Sequence, residues 1–160
     1  EEALKARDSV YYPPIGKRGV GLARGQEYGF NFDKYYNQQK NIKLIVQIEH
    51  FEAIENLEEI LAIDGIHGSF IGPYDLSGSI GKAGDFNNEK LTKLLKKYEK
   101  ISKKMNKSMG FHVIEPNHKL LLEKINKGYS IIAFSFDAYL LGTKLNEELK
   151  NYSDFSKNDI

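Results

Sequence analysis

Two short stretches hold the residues best suited to chemistry. Val46-Gln47-Ile48-Glu49 closes an apolar, β-branched run, and Ile71-Gly72-Pro73-Tyr74-Asp75-Leu76-Ser77 follows the next such run, about one strand–helix unit later. Each sets a carboxylate at or just past a strand end. In a parallel α/β fold successive strand ends open on one face, so Glu49 and Asp75 are expected to converge on one site. Two carboxylates with few competing ligands suit a hard divalent cation such as magnesium or manganese. Side-chain alternation turns Gln47 and Glu49 to the same side of their strand, which in a closed barrel is the interior. The simpler readings are a helix cap for Glu49, ahead of a helix starting near Phe51, and an Asx turn for Asp75. Gly72, Gly78, Gly81 and Gly84 favour the ligand reading, because glycines let backbone approach a bound molecule closely.

Other reactive side chains give weaker signals. His50 is the histidine next to a candidate ligand; His67, His112 and His118 show no spacing such as H-x-x-x-H. Asp137, ending a fourth apolar run, faces either the same mouth or the last helix as its cap. Arg18 lies in a glycine-rich loop and reads equally as an anion clamp or as a structural guanidinium. Gly19-Val20-Gly21-Leu22-Ala23-Arg24-Gly25 is a poor dinucleotide fingerprint, since its third glycine is late and no strand precedes it.

The elements that must position these residues alternate along the chain. Glu1 to Ser9 has helical character and stops at Pro13-Pro14. Lys17 to Gly29 reads as a loop and Phe32 to Lys40 as a short helix. Asn41 to Ile48 is a nearly continuous apolar run, typical of a strand buried on both faces. Phe51 to Ala62 is amphipathic, Gly65 to Ile71 is the second strand, and Gly72 to Phe86 reads as a long loop. Asn88 to Asn106 is a helix, Ser108 to Ile114 a strand, and Asn117 to Lys127 a helix with Leu120, Leu121, Leu122 and Ile125 available for the core. Gly128 closes that helix. Tyr129 to Phe136 is the fourth strand and Ala138 to Leu149 the final helix. This order predicts a parallel sheet with right-handed crossovers, either a small open sheet or half of an eight-unit barrel.

Composition narrows the function classes. The formal net charge of +1 gives no electrostatic case for nucleic acid or an anionic membrane. The lysines between Lys93 and Lys107 interleave with Leu94, Leu95, Tyr98, Ile101 and Met105 at helical spacing, as on a solvated helix face. The absence of cysteine excludes disulfides, thiolate metal sites and a cysteine nucleophile, and fits a cytoplasmic location. No apolar run approaches the ~20 residues of a membrane span, and the first residues do not form a signal peptide.

The long runs Gln47 to Leu57, Ile63-Asp64-Gly65-Ile66 and Phe70 to Gly81 resemble the HpcH/HpaI aldolase family. So does the prelude Tyr12-Pro13-Pro14-Ile15-Gly16-Lys17-Arg18-Gly19, similar to that family's Y-P-P-x-G-x-R-G, with Tyr28-Gly29 after it. The resemblance covers roughly residues 3 to 142. It implies a class II, metal-dependent pyruvate aldolase on a TIM (β/α)8 barrel, cleaving or forming 4-hydroxy-2-oxo acids through a pyruvate enolate, with pyruvate and an aldehyde as partners. By motif match Glu49 and Asp75 are the metal carboxylates, for magnesium or manganese with cobalt as a further option. Gln47 lies beside the pyruvate, and Gly72, Pro73 and Asp75 line the same pocket. Residues 1–150 match strands five to eight of the family barrel, the C-terminal half, and 151–160 read as a polar tail expected to fray. The family's catalytic histidine and substrate-binding arginine fall on the half that has no counterpart here, so no residue of this sequence inherits either role. Tyr74 stands where the family often has asparagine, and His50 where threonine or serine is common. A lone half-barrel would expose sheet edges and an apolar face, so a homo-oligomer is expected. The alternatives are a citrate-lyase-like enzyme acting on a CoA thioester and a non-catalytic, ligand-binding remnant.

Overall fold

A computed structural model describes the backbone of residues 1–158 and the side chains of residues 1–152. Four parallel strands form one sheet in the order β1-β2-β3-β4. They are β1 (Leu44–Ile48), β2 (Ile66–Ile71), β3 (Ser108–Val113) and β4 (Ile131–Phe134). Strands that neighbour one another in sequence also neighbour one another in the sheet. The chain divides into two compact units, residues 1–109 and 110–160.

In the first unit β1 and β2 run parallel with Gln47 opposite Phe70 and Ile48 opposite Ile71. Their crossover is helical, as the amphipathic pattern requires, but it is two helices, α3 (Phe51–Glu55) and α4 (Leu57–Ala62). The break falls at Asn56, with φ −96° and ψ 15°, whose Nδ2 donates to the Glu52 carbonyl at 2.9 Å. A side-chain amide that bonds local backbone in this way competes with the helical ladder. Ile54, Leu57 and Leu61 are fully buried with Ile48, Ile66 and Ile71. Each such side chain is worth about 1.5–3 kcal/mol of burial.

A long helix, spanning Glu89–Lys104, packs on α3 and α4. Asn88 caps it, accepting from the Lys90 N–H at 3.0 Å. The lysine-rich stretch is a solvated face, with Leu91, Tyr98 and Ile101 turned inward. Buried Tyr98 and Ser69 of β2 bond twice, Ser69 Oγ donating to the phenol at 3.1 Å and the phenol to the Ser69 carbonyl at 3.0 Å. Gly68 meets the next strand so closely that an added Cβ would lie 2.5 Å from the Ser108 carbonyl oxygen.

One expected loop is partly helical. Within Gly72 to Phe86, residues Pro73–Ser79 form a short helix. Proline at N1 suits a helix start, where no N–H is needed and φ is already set. Leu76 drops into the core at 0% exposure, and its N–H donates to the Gly72 carbonyl at 2.9 Å. The glycines dominated the sequence signal and hid this turn. Upstream, α1 (Glu2–Val10) and α2 (Phe32–Asn37) are joined by the glycine-rich segment, which contains a 3-10 turn at Arg24–Gly29; a second 3-10 turn, Gln38–Asn41, follows α2 directly. With the helices of the crossovers numbered in chain order, Pro73–Ser79 is α5 and Glu89–Lys104 is α6.

In the second unit β3 and β4 pair with Phe111 opposite Ile132 and Val113 opposite Phe134. Helix α7 (His118–Asn126) is capped by Asn117, which accepts from the Leu120 N–H at 3.1 Å. Lys124 is buried, its ammonium 4.1 Å from the Phe111 ring centroid and 5.5 Å from that of Tyr129. The expected core positions Leu122 and Ile125 are instead exposed, at 44% and 49%. Strand β4 is shorter than its apolar run because Ser135 takes φ 58° and leaves the extended region. Helix α8 spans Asp137–Asn158, so the expected polar tail from residue 151 is helical as far as Asn158. Residues 159 and 160 lie outside the described residues.

Candidate functional site

The site is built from the backbone at the C-terminal ends of β1 and β2. Ile48 and Ile71 are register partners, so Glu49 and Gly72, one step beyond, lie across from each other. The Gly72 N–H donates to the Ile48 carbonyl at 3.3 Å and ties the two ends together. Gln47 and Glu49 share a side of β1, as alternation requires. The Gln47 Nε2 donates to Glu49 Oε2 at 2.7 Å. That short bond fixes one carboxylate oxygen and leaves the other for a ligand.

Gly72 completes this cluster by having no side chain. A Cβ there would sit 3.0 Å from Gln47 Nε2, 3.3 Å from the Glu49 Cβ and 3.3 Å from Glu49 Oε2. Gln47, Glu49 and Gly72 are thus brought together by packing. Pro73 is buried at the head of α5, and Asp75 is exposed in the first turn of that helix. Among the described residues neither Glu49 nor Asp75 has an ion-pair partner. Two exposed carboxylates without a cation, at the ends of adjacent strands, fit the oxygen donor set of a hard divalent ion. No group of three or more His, Asp or Glu side chains able to hold a metal occurs among the described residues.

The simpler readings fall on other residues. His50, not Glu49, caps α3, its Nδ1 accepting from the Glu52 N–H at 3.3 Å. The turn bonds around Asp75 are made by Ser77, whose Oγ donates to the Tyr74 carbonyl at 2.7 Å and accepts from the Gly84 N–H at 2.9 Å. Asp137 is in the first turn of α8, where its Oδ1 accepts from the Ala138 N–H at 2.8 Å.

Two serines were missed by sequence reasoning. Ser77 pins the glycine-rich segment back onto α5. Ser79 Oγ accepts from the Phe51 N–H at 3.1 Å and so ties the start of α3 to the end of α5. The signal available was the pair of hydroxyls in Leu76-Ser77-Gly78-Ser79, directly after the candidate carboxylate. Tyr74, next to Asp75 in sequence, packs edge-on against Phe86 at 4.9 Å between centroids, and both rings remain partly exposed.

Comparisons with known proteins bear on the family and the fold. The model of the HpcH/HpaI aldolase/citrate lyase family matches residues 1–142. A 2-keto-3-deoxy-L-rhamnonate aldolase from Klebsiella pneumoniae subsp. pneumoniae is 31% identical over 159 residues, covering 98% of this chain and 58% of that protein. The protein of the same name from Escherichia coli is 31% identical over 152 residues, covering 93% and 56%. This chain thus spans somewhat over half the length of these relatives. Among solved structures, an aldolase/citrate lyase family protein from Burkholderia cenocepacia superposes with a TM-score of 0.85 at 24% identity, covering 95% of this chain and 60% of that one. Macrophomate synthase superposes with a TM-score of 0.78 at 21% identity, covering 96% and 55%. These structures establish the fold; the expected partial barrel is the one found.

Proposed function

Since this chain belongs to the HpcH/HpaI aldolase/citrate lyase family, we propose that it contributes the metal-binding half of a carbon–carbon lyase acting on 4-hydroxy-2-oxo acids. The observation that carries this reading is the cluster at the ends of β1 and β2: Gln47 holding Glu49 at 2.7 Å, with Gly72 packed against both. In the proposal Glu49 and Asp75 hold a divalent cation, magnesium or manganese. When bound, that cation would supply Lewis-acid stabilisation of negative charge developing on a keto oxygen.

The side chains divide the remaining work. Gln47 donates to one oxygen of Glu49 and thereby sets which oxygen is free. Its location beside that oxygen also suits it to lie against a keto acid. Gly72 keeps the strand end open, and buried Pro73 fixes the first turn of α5, from which Asp75 projects. In cleavage, the bond between C3 and C4 of the substrate breaks and the C4 hydroxyl loses its proton. The C4 fragment leaves as an aldehyde, and the electron pair remains on the three-carbon 2-oxo fragment, which is then protonated at C3. The carboxylates here bind and orient; no side chain of this chain is assigned the proton transfers. The names of the similar proteins support a 2-keto-3-deoxy sugar acid as substrate class, since such acids have the 4-hydroxyl that this cleavage needs.

The test is a titration of the full-length protein with magnesium and manganese, together with exchange of the pyruvate methyl protons in heavy water. Metal-dependent exchange is expected. Metal binding without exchange would favour the ligand-binding remnant. Activity on a CoA thioester but not on a 4-hydroxy-2-oxo acid would favour the citrate-lyase-like alternative.

A further inference from the structure

The glycine-rich prelude and the segment leading into β1 line a cavity that the proposed chemistry does not use. Arg18 is half-buried there, its guanidinium carbon 4.8 Å from the Tyr12 ring centroid and 5.9 Å from that of Tyr35. Its Nη2 donates to the Tyr35 hydroxyl at 3.0 Å. Aromatic rings against the guanidinium hold it in one orientation and leave its in-plane N–H groups for an acceptor. Among the described residues no carboxylate pairs with it, whereas Arg7 meets Asp8 at 2.9 Å.

The surroundings are amides rather than acids. Gln39 Oε1 accepts the Tyr12 N–H at 3.1 Å, which leaves its Nε2 as a donor. Gln38 and Asn41 add two further carboxamides. Together with Arg18, Tyr12 and Tyr35 they line a cavity of about 370 Å³. A permanent, oriented cation with uncharged donors around it and no competing acid matches a small oxyanion, which a guanidinium can grip through two parallel hydrogen bonds.

The cavity is distinct from the carboxylate site. Asn41 lies just before β1 and Glu49 just after it. At about 3.3 Å rise per residue, the strand sets the two roughly 15 Å or more apart. We propose that the Arg18 cavity is a binding site for the phosphate or carboxylate group of a small metabolite, at the N-terminal end of β1. Occupancy there links the prelude to the segment that leads into β1, without touching the reacting atoms.

The experiment is a calorimetric or NMR titration of the full chain with inorganic phosphate and, separately, with acetate, each against sodium chloride of matched ionic strength. Saturable binding of at least one anion is expected, and the tighter one identifies the group recognised. Gln38→Glu adds a negative charge to an exposed wall of the cavity without disturbing the Arg18 stack. It should weaken binding at least tenfold while leaving circular dichroism and melting temperature unchanged. Arg18→Lys should weaken binding, because an ammonium cannot form the paired bonds, and Arg18→Gln should abolish it. If the Arg18 variants fail to fold, Gln38→Glu decides alone. Absence of saturable binding by either anion, or equal affinity in wild type and Gln38→Glu, overturns the proposal.

Discussion

A carboxylate at a strand end is positioned by whatever reaches it first, and for Glu49 that is the amide of Gln47 at 2.7 Å. The pair is held from the other side by Gly72, whose missing Cβ is what lets the amide stay where it is. Gly72→Ala should therefore act on the site before it acts on the fold. The new methyl, 3.0 Å from Nε2 and 3.3 Å from Oε2, has to push aside two exposed side chains rather than backbone. The expected outcome is a near-native circular dichroism spectrum with weakened metal binding, measured by titration of manganese. Unchanged metal affinity would separate Gly72 from the site. The carboxylates themselves should be less forgiving. Loss of residues that merely support a metal ligand costs about 10–100-fold. Glu49→Gln or Asp75→Asn, which removes one of two proposed anionic ligands, should reduce metal-dependent turnover of the full-length protein by about 100-fold or more. Both variants should stay folded, because both side chains are exposed and neither takes part in an ion pair among the described residues. Activity at ordinary metal concentrations in either variant would refute that residue's assignment.

Elements position these side chains through ties that the sequence disguises. The apolar runs of β1 and β2, their parallel order and the helices between them were legible because burial on both faces leaves a continuous β-branched signature. Glu49 follows the first run directly, whereas Asp75 comes after three further residues and lies on the first turn of α5. The helix at Pro73–Ser79 was not legible, because glycine on either side outweighs a single buried leucine in any local reading. The two hydroxyls of Leu76-Ser77-Gly78-Ser79 were visible but not their ties, since Ser79 meets Phe51, 28 residues away, and Ser77 bonds backbone that only the fold brings near. Tyr11 is a tie of the same kind at the opposite end of the strands. Its buried hydroxyl donates to the Gly65 carbonyl at 2.9 Å and lies 3.2 Å from that of Ile42. These two residues lead into β2 and β1. Tyr11→Phe should lower stability by about 1–2 kcal/mol, the usual cost of leaving a buried acceptor short of its donor. Burial pushes the Tyr11 phenol above its ordinary 10.0. A raised value means the folded state holds this proton more tightly than the unfolded chain. The phenol's contribution is thus complete below pH 10 and is lost as pH rises through the folded value. Denaturant unfolding at neutral pH and at pH above 10 should show the gap between wild type and Tyr11→Phe narrowing at the alkaline end. A constant gap would contradict this account.

For the whole molecule, the decisive fact is coverage: the chain matches 58% of the length of a relative from Klebsiella pneumoniae. In the sheet order β1-β2-β3-β4 the outer strands β1 and β4 each have one edge without a partner strand among the described residues. Unpaired edges attract other strands. Apolar surface adds to this tendency on α8, where Leu141, Leu145 and Leu149 recur every fourth residue and are 73%, 57% and 56% exposed. Residues four apart stack on one helix face, so these side chains form a stripe. No helix among the described residues is long and apolar enough to cross a membrane, so a bilayer-spanning helix does not explain the stripe. The 160 residues expressed alone should therefore self-associate, sedimenting as species heavier than 18.3 kDa. Leu141→Glu combined with Leu145→Glu should shift the distribution towards monomer, because a charge in an apolar contact is costly to bury. The same preparation should not cleave a 4-hydroxy-2-oxo acid even with excess magnesium or manganese. A pocket open to water screens the charges that stabilise a developing anion. Steady turnover by a monomeric sample would overturn both expectations together, since it would show that these four strand–helix units close a working site without a second half.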